Sequence, residues 1–99
     1  MLLSVSEANS TGSRVYNEAL TGLVNSTNTV FTTVADFIAG SEAVYFNGVR
    51  QTEGVGCDYV RSESGGVGTG YDTITFAEAP RSRLGPRTDD AITIDYDPS

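Results

Sequence analysis

The dipeptide Asn47-Gly48 constrains this chain more than any other feature of its sequence. It separates two β-prone runs, Ala43-Val44-Tyr45-Phe46 and Val49-Arg50-Gln51-Thr52. A two-residue turn that matches the twist of its flanking strands needs positive φ at both central residues, and Asn-Gly accepts that conformation readily. The turn also fixes register: Phe46 pairs with Val49, Tyr45 with Arg50, and Val44 with Gln51. Alternation then puts Val44, Phe46 and Val49 on one face, expected to be the core. Tyr45 and Arg50 share the other face, where the guanidinium can lie against the ring.

The same two-residue period recurs nearer the C-terminus. Residues 72–77 place Ile74 and Phe76 inward and Thr73 and Thr75 outward. Residues 90–97 place Ile92, Ile94 and Tyr96 inward, with Thr93 and Asp95 outward. Residues 20–24, 29–34 and 57–61 are shorter strand candidates. Residues 35–39 could form one helical turn, too short for a helix that stands alone. Turn chemistry separates these runs: Asn25-Ser26-Thr27-Asn28, Gly40-Ser41, Gly54-Val55-Gly56, the Gly/Ser-rich stretch 62–70, and a loop over 78–89 with Pro80 and Pro86. The pattern predicts an all-β fold, a small antiparallel β-sandwich (Ig-like or jelly-roll-like) of six to seven short strands over residues 19–99. Residues 1–18 lack a sustained period, so they are expected to form an extended or flexible N-terminal arm. Leu2, Leu3 and Val5 would be its contacts to a neighbouring protein.

A chain of 99 residues supports one domain with a modest core. Its 38% hydrophobic content is too high for a disordered chain. The net charge is −7, and all six basic residues are Arg, at positions 14, 50, 61, 81, 83 and 87. Nucleic-acid binding calls for a basic face that replaces phosphate counterions, so that class is not expected. The one basic cluster, Arg81, Arg83 and Arg87, suits contact with an acidic protein neighbour instead.

The residues for catalysis are scarce. There is no His, which removes the usual general base and the commonest zinc ligand. The single Cys57 rules out an intrachain disulfide and is expected to be a small, buried or half-buried side chain. The Gly-rich residues 64–70 match neither a dinucleotide fingerprint nor a P-loop. Asp89, Asp90, Asp95 and Asp97 could gather oxygens for Ca²⁺, but a solvated, aggregation-resistant outer face weighs more heavily. No catalytic residue, cofactor or metal is therefore expected. Asn9-Ser10-Thr11 and Asn25-Ser26-Thr27 match the N-glycosylation triplet, which recurs by chance in a chain rich in Ser, Thr and Asn. No run has the makings of a signal peptide or a membrane span, so the expectation is synthesis in the cytoplasm without membrane association.

Several segments together resemble a recurring module of tailed-phage structural proteins. They are Gly22-Leu23-Val24-Asn25, Asn28-Thr29-Val30-Phe31-Thr32, Gly40-Ser41, Val44-Tyr45-Phe46-Asn47-Gly48-Val49-Arg50, Asp58-Tyr59, Asp72-Thr73-Ile74-Thr75-Phe76-Ala77-Glu78-Ala79-Pro80 and Asp90-Ala91-Ile92-Thr93-Ile94-Asp95-Tyr96. The hairpin and the closing Ile-Thr-Ile-Asp-Tyr strand are the most specific parts. Thr33 departs from the pattern, where an apolar residue is more usual, and so does the longer loop 81–88. The resemblance implies a β-sandwich of tail-fibre, tail-accessory or decoration type, with no catalytic residues. It also implies a place in the virion, on tail, neck or capsid, among other virion proteins in multiple copies; a homo-oligomer is compatible with it. A second function from another class is a host-receptor or glycan-binding module in which Tyr16, Tyr45 or Tyr71 stacks on sugars.

Overall fold

The computed structural model describes residues 13–82 and 89–99. Among the described residues, seven strands follow in order: β1 Val15–Ala19, β2 Val30–Phe37, β3 Ala43–Phe46, β4 Val49–Arg50, β5 Tyr59–Ser62, β6 Tyr71–Phe76 and β7 Ile92–Tyr96. They form a four-stranded sheet ordered β1-β7-β3-β4 and a three-stranded sheet ordered β2-β6-β5. Every strand pair is antiparallel. The chain is thus the small all-β sandwich that its alternating pattern predicts.

The Asn47-Gly48 hairpin forms in the expected register, with Phe46 opposite Val49 and Tyr45 opposite Arg50. Asn47 and Gly48 take φ of 51° and 82°. Asn47 has a further role that local turn chemistry does not require. Its Nδ2 donates to Asp90 Oδ1 at 2.9 Å, and its Oδ1 accepts from the Ala91 amide at 2.7 Å. The turn is therefore tied to the start of β7, which lies beside β3.

Alternation along β3, β6 and β7 builds the core. Val44, Ile74, Ile92, Ile94, Phe76 and Tyr96 are buried, as are Phe31, Phe37, Tyr59 and Leu20 from the other elements. Each large apolar side chain taken from water contributes roughly 1.5–3 kcal/mol. Phe76 links the layers: its ring meets Phe31 at 5.8 Å and Phe46 at 5.7 Å, both edge to face. Behind the rings, Gly22 passes so close to Phe31 that a Cβ there would overlap the ring.

One side of the sandwich is stitched by backbone. Thr21 and Thr32 exchange amide–carbonyl bonds of 2.8 and 2.9 Å, the Ile38 amide donates to Asp97 O, and the Ser99 amide donates to Asp36 O. Glu18 adds a side-chain bond to this seam, accepting from the Val34 amide at 2.9 Å.

Several expectations are corrected. Residues 15–18, assigned to the arm, belong to β1, because pairing with β7 satisfies their backbone; residues 1–12 of the arm lie outside the described residues. Residues 20–24 do not form a strand: Leu20 turns into the core and Thr21 makes a single bridge to Thr32. Residues 35–37 continue β2 through a register shift and form no helical turn. Val49 shares the face of Phe46 but is 64% exposed, because β4 is a two-residue edge strand that overhangs the core. Thr73 is buried, although alternation turns it outward. Cys57 is exposed, on the turn before β5.

Candidate functional site

The two sheets meet differently along the side where β4 and β5 form their edges. Here the link is a buried carboxylate. Glu42 precedes β3 with the parity of Val44 and Phe46, so its side chain points between the layers. That side chain is only 2% exposed. Its Oε2 accepts from the Tyr59 hydroxyl at 3.0 Å and from Arg61 Nη1 at 3.0 Å, and its Oε1 accepts from the Gly40 amide at 2.8 Å. Arg61 also pairs with Glu53 at 3.3 Å and lies 5.6 Å over the Tyr71 ring.

This surrounding perturbs two members of the cluster. Burial pushes the Tyr59 hydroxyl well above its ordinary pKa, and the charge of Glu42 and its bond push in the same direction. Burial works against the Arg61 charge, but the Glu42 bond and the charges of Glu42 and Glu53 outweigh it and raise its pKa. The cluster lines a cleft of about 490 Å³ together with Arg50 and Thr52. Both carboxylates there are engaged with Arg61, and the phenol stays protonated as a donor. The arrangement clamps one sheet to the other.

Two neighbouring hollows are more apolar. One of about 520 Å³ is lined by Phe46, Val49, Cys57, Phe76 and Ala77 among others. The second, of about 330 Å³, lies on the far side of the turn over residues 54–57 and is bordered by Val55, Cys57, Val60, Thr75 and Ala77. Among the described residues, none that lines the second hollow is charged.

Leu2, Leu3, Val5, Arg83 and Arg87 lie outside the described residues. Arg81 is exposed, and its backbone pairs with Asp90: its amide donates to Oδ2 at 2.9 Å and its carbonyl accepts from the Asp90 amide at 2.9 Å. The aspartates considered for Ca²⁺ have internal partners. Asp90 holds Asn47 and Arg81, Asp95 accepts from the Asn17 amide, and Asp97 pairs with Arg14 at 3.1 Å. Among the described residues, no three His, Cys, Asp or Glu side chains are grouped to hold a metal ion.

The tyrosines are dispersed. Tyr16 is 66% exposed on β1, Tyr45 is half-buried on β3, and Tyr71 is half-buried on β6 of the other sheet. Among the described residues, the arginine–ring stacks are Arg14 on Tyr16 and Arg61 on Tyr71, rather than Arg50 on Tyr45. The Glu42–Tyr59–Arg61 cluster escaped the sequence reading. Its signal was present: Glu42 and Arg61 are charges with core-facing parity, next to Val44 and Tyr59.

Among the described residues, no helix is long and apolar enough to cross a membrane. Comparison of the chain with protein-family models, with curated proteins and with solved structures gives no match.

Proposed function

We propose that this chain is a non-enzymatic structural module of a tailed-virus particle, held on tail, neck or capsid by contacts with other virion proteins. One observation carries the interaction half of this reading. The carboxylates near the sandwich seams are engaged internally, while apolar side chains are left outward, with Leu23, Val34 and Val55 exposed at 68%, 81% and 95%. Each of these side chains gains free energy when a partner protein takes it out of water. The virion half is supported by the resemblance between residues 22–96 and phage structural modules. On this reading the chain is made in the host cytoplasm and then incorporated. Leu2, Leu3, Val5, Arg81, Arg83 and Arg87 are the proposed partner contacts.

The test is mass spectrometry and cryo-electron microscopy of purified particles. The expected result is stoichiometric incorporation with density for a two-layered β domain. Absence of the chain from clean particles overturns the virion role. Deleting residues 1–12 spares β1 and is expected to leave a folded domain that no longer incorporates. Normal incorporation of that truncation removes the docking role of Leu2, Leu3 and Val5.

A receptor-reading role draws on Tyr16, whose exposed ring carries Arg14 at 5.7 Å. A glycan array separates the two readings. Specific binding by the wild-type domain that disappears in Y16A supports receptor recognition, and silence on the array supports assembly.

A further inference from the structure

Of the asparagines in this chain, Asn47 alone precedes a glycine. Asparagine is thermolabile, and most of all there, because a following glycine puts no side chain in the way of cyclisation. The Gly48 nitrogen attacks the carbonyl carbon of the Asn47 side chain. A C–N bond to Gly48 forms as the bond to the side-chain nitrogen breaks. The proton lost by Gly48 ends on that nitrogen, which leaves as ammonia. Water then opens the succinimide ring at either carbonyl and leaves aspartate or isoaspartate. Both turn residues are exposed, so water reaches them, and the space above Gly48 is open.

The fold restrains this reaction. Asn47 is tied to the start of β7 three times: its amide donates to Ala91 O at 2.7 Å, its Oδ1 accepts from the Ala91 amide at 2.7 Å, and its Nδ2 donates to Asp90 Oδ1 at 2.9 Å. Turning the side-chain carbon toward Gly48 breaks both side-chain bonds together, one of them to a charged acceptor. We propose that Asn47 is a guarded self-modification site: Asp90 and Ala91 hold its amide unreactive, and when the start of β7 lifts from the hairpin the chain deamidates there irreversibly. The product cannot re-form the clamp. A carboxylate at position 47 has no hydrogen to donate, and it meets the Asp90 carboxylate as a like charge. Isoaspartate also adds a main-chain carbon to a turn whose two-residue length sets the register. Either product loosens β4, a two-residue edge strand held through Phe46–Val49 and Tyr45–Arg50. The hairpin is thus a one-way timer of local opening. The chemistry depends on Asn47 and its partners alone, whether or not the chain enters a particle.

The experiment follows aspartate and isoaspartate at position 47 by peptide mapping and mass spectrometry. The full chain is incubated in mildly alkaline buffer as folded wild type, as wild type unfolded in urea, and as D90A and A91P. D90A removes the acceptor of Nδ2 and also frees the Arg81 amide; A91P removes the Ala91 N–H, whose partner is Asn47 Oδ1. Circular dichroism checks that each variant is folded. Folded wild type is expected to deamidate at least about tenfold more slowly than the unfolded chain. D90A should recover about tenfold of that rate, the factor a charge-assisted hydrogen bond supplies, and A91P should recover a smaller part. Isoaspartate among the products marks the succinimide route. Equal rates for folded and unfolded wild type overturn the guard, as do folded variants no faster than wild type. N47D tests the consequence without either variant. Its Val49 and Gln51 amides should exchange hydrogen about tenfold faster than in wild type, and unchanged protection there overturns the timer.

Discussion

Replacing Glu42 by Gln tests whether the buried carboxylate holds the two sheets together. Glu42 accepts from three donors, Gly40 N, Tyr59 OH and Arg61 Nη1. Gln has one oxygen, so either orientation leaves a donor without its acceptor. If the amide nitrogen replaces Oε2, the Tyr59 hydroxyl can rotate to accept, but Arg61 cannot. If it replaces Oε1, the Gly40 amide is orphaned. Removing one partner of a fully buried pair costs about 3–5 kcal/mol. Arg61 is 26% exposed and keeps Glu53, itself 35% exposed, so the cost here falls to about 2 kcal/mol. For a domain of this size that lowers Tm by roughly 8–16 °C. Equilibrium urea unfolding followed by circular dichroism measures the change directly. R61M should then cost less in the E42Q background than in wild type, since the cation it removes is already half-orphaned. A loss below about 0.5 kcal/mol for E42Q, the size expected of a surface pair, would refute the reasoning. Strict additivity of E42Q and R61M would do the same.

Three further outcomes follow from local geometry. Gly22→Ala puts a Cβ into the fully buried Phe31 ring and should cost about 1–3 kcal/mol by overpacking, read from the urea midpoint. Burial, and then the bond donated to Glu18, raise the Tyr96 pKa to about 12. Its stabilisation is therefore fully present below the unfolded value of about 10 and is lost as pH rises through about 12. Y96F should remove this late step from an ultraviolet tyrosinate titration and cost about 1 kcal/mol at neutral pH. Burial tends to raise the Asp72 pKa, but bonds from the Ser64 hydroxyl and amide and from the Thr73 hydroxyl outweigh it and lower the value. That contribution is present above the ordinary carboxylate pKa of about 3.9 and disappears as pH falls through the lowered one. S64A should thus be less stable than wild type at neutral pH, with the gap closing in acid; a gap of constant size across the range contradicts the assignment.

What the sequence by itself determined is local. Asn47-Gly48 dictated a hairpin and its register, because only the two turn residues and their neighbours set that geometry. Alternation placed Ile74, Phe76, Ile92, Ile94 and Tyr96 in the core, because a strand's side chains change sides at every residue. The same rule misjudged Val49: parity gives the side of a sheet but not whether anything lies above it, and an edge strand can overhang the core. It also missed residues 15–18, whose polar stretch becomes a strand only once β7, far along the chain, pairs with it, Val15 opposite Tyr96 and Glu18 opposite Ile94.

The tertiary structure decided the rest by choosing which edges face one another. Glu42 reads locally as a charged strand start. It becomes a clamp because the sheet order brings β3 across from β5, 17 and 19 residues away at Tyr59 and Arg61. The outer row of the three-stranded sheet is likewise invisible in one dimension. Val30, Val60 and Thr75 come from three separate strands and become one row only when those strands pair. Sequence spacing governs which side of its own strand a residue occupies, whereas long-range pairing governs which residues become its neighbours.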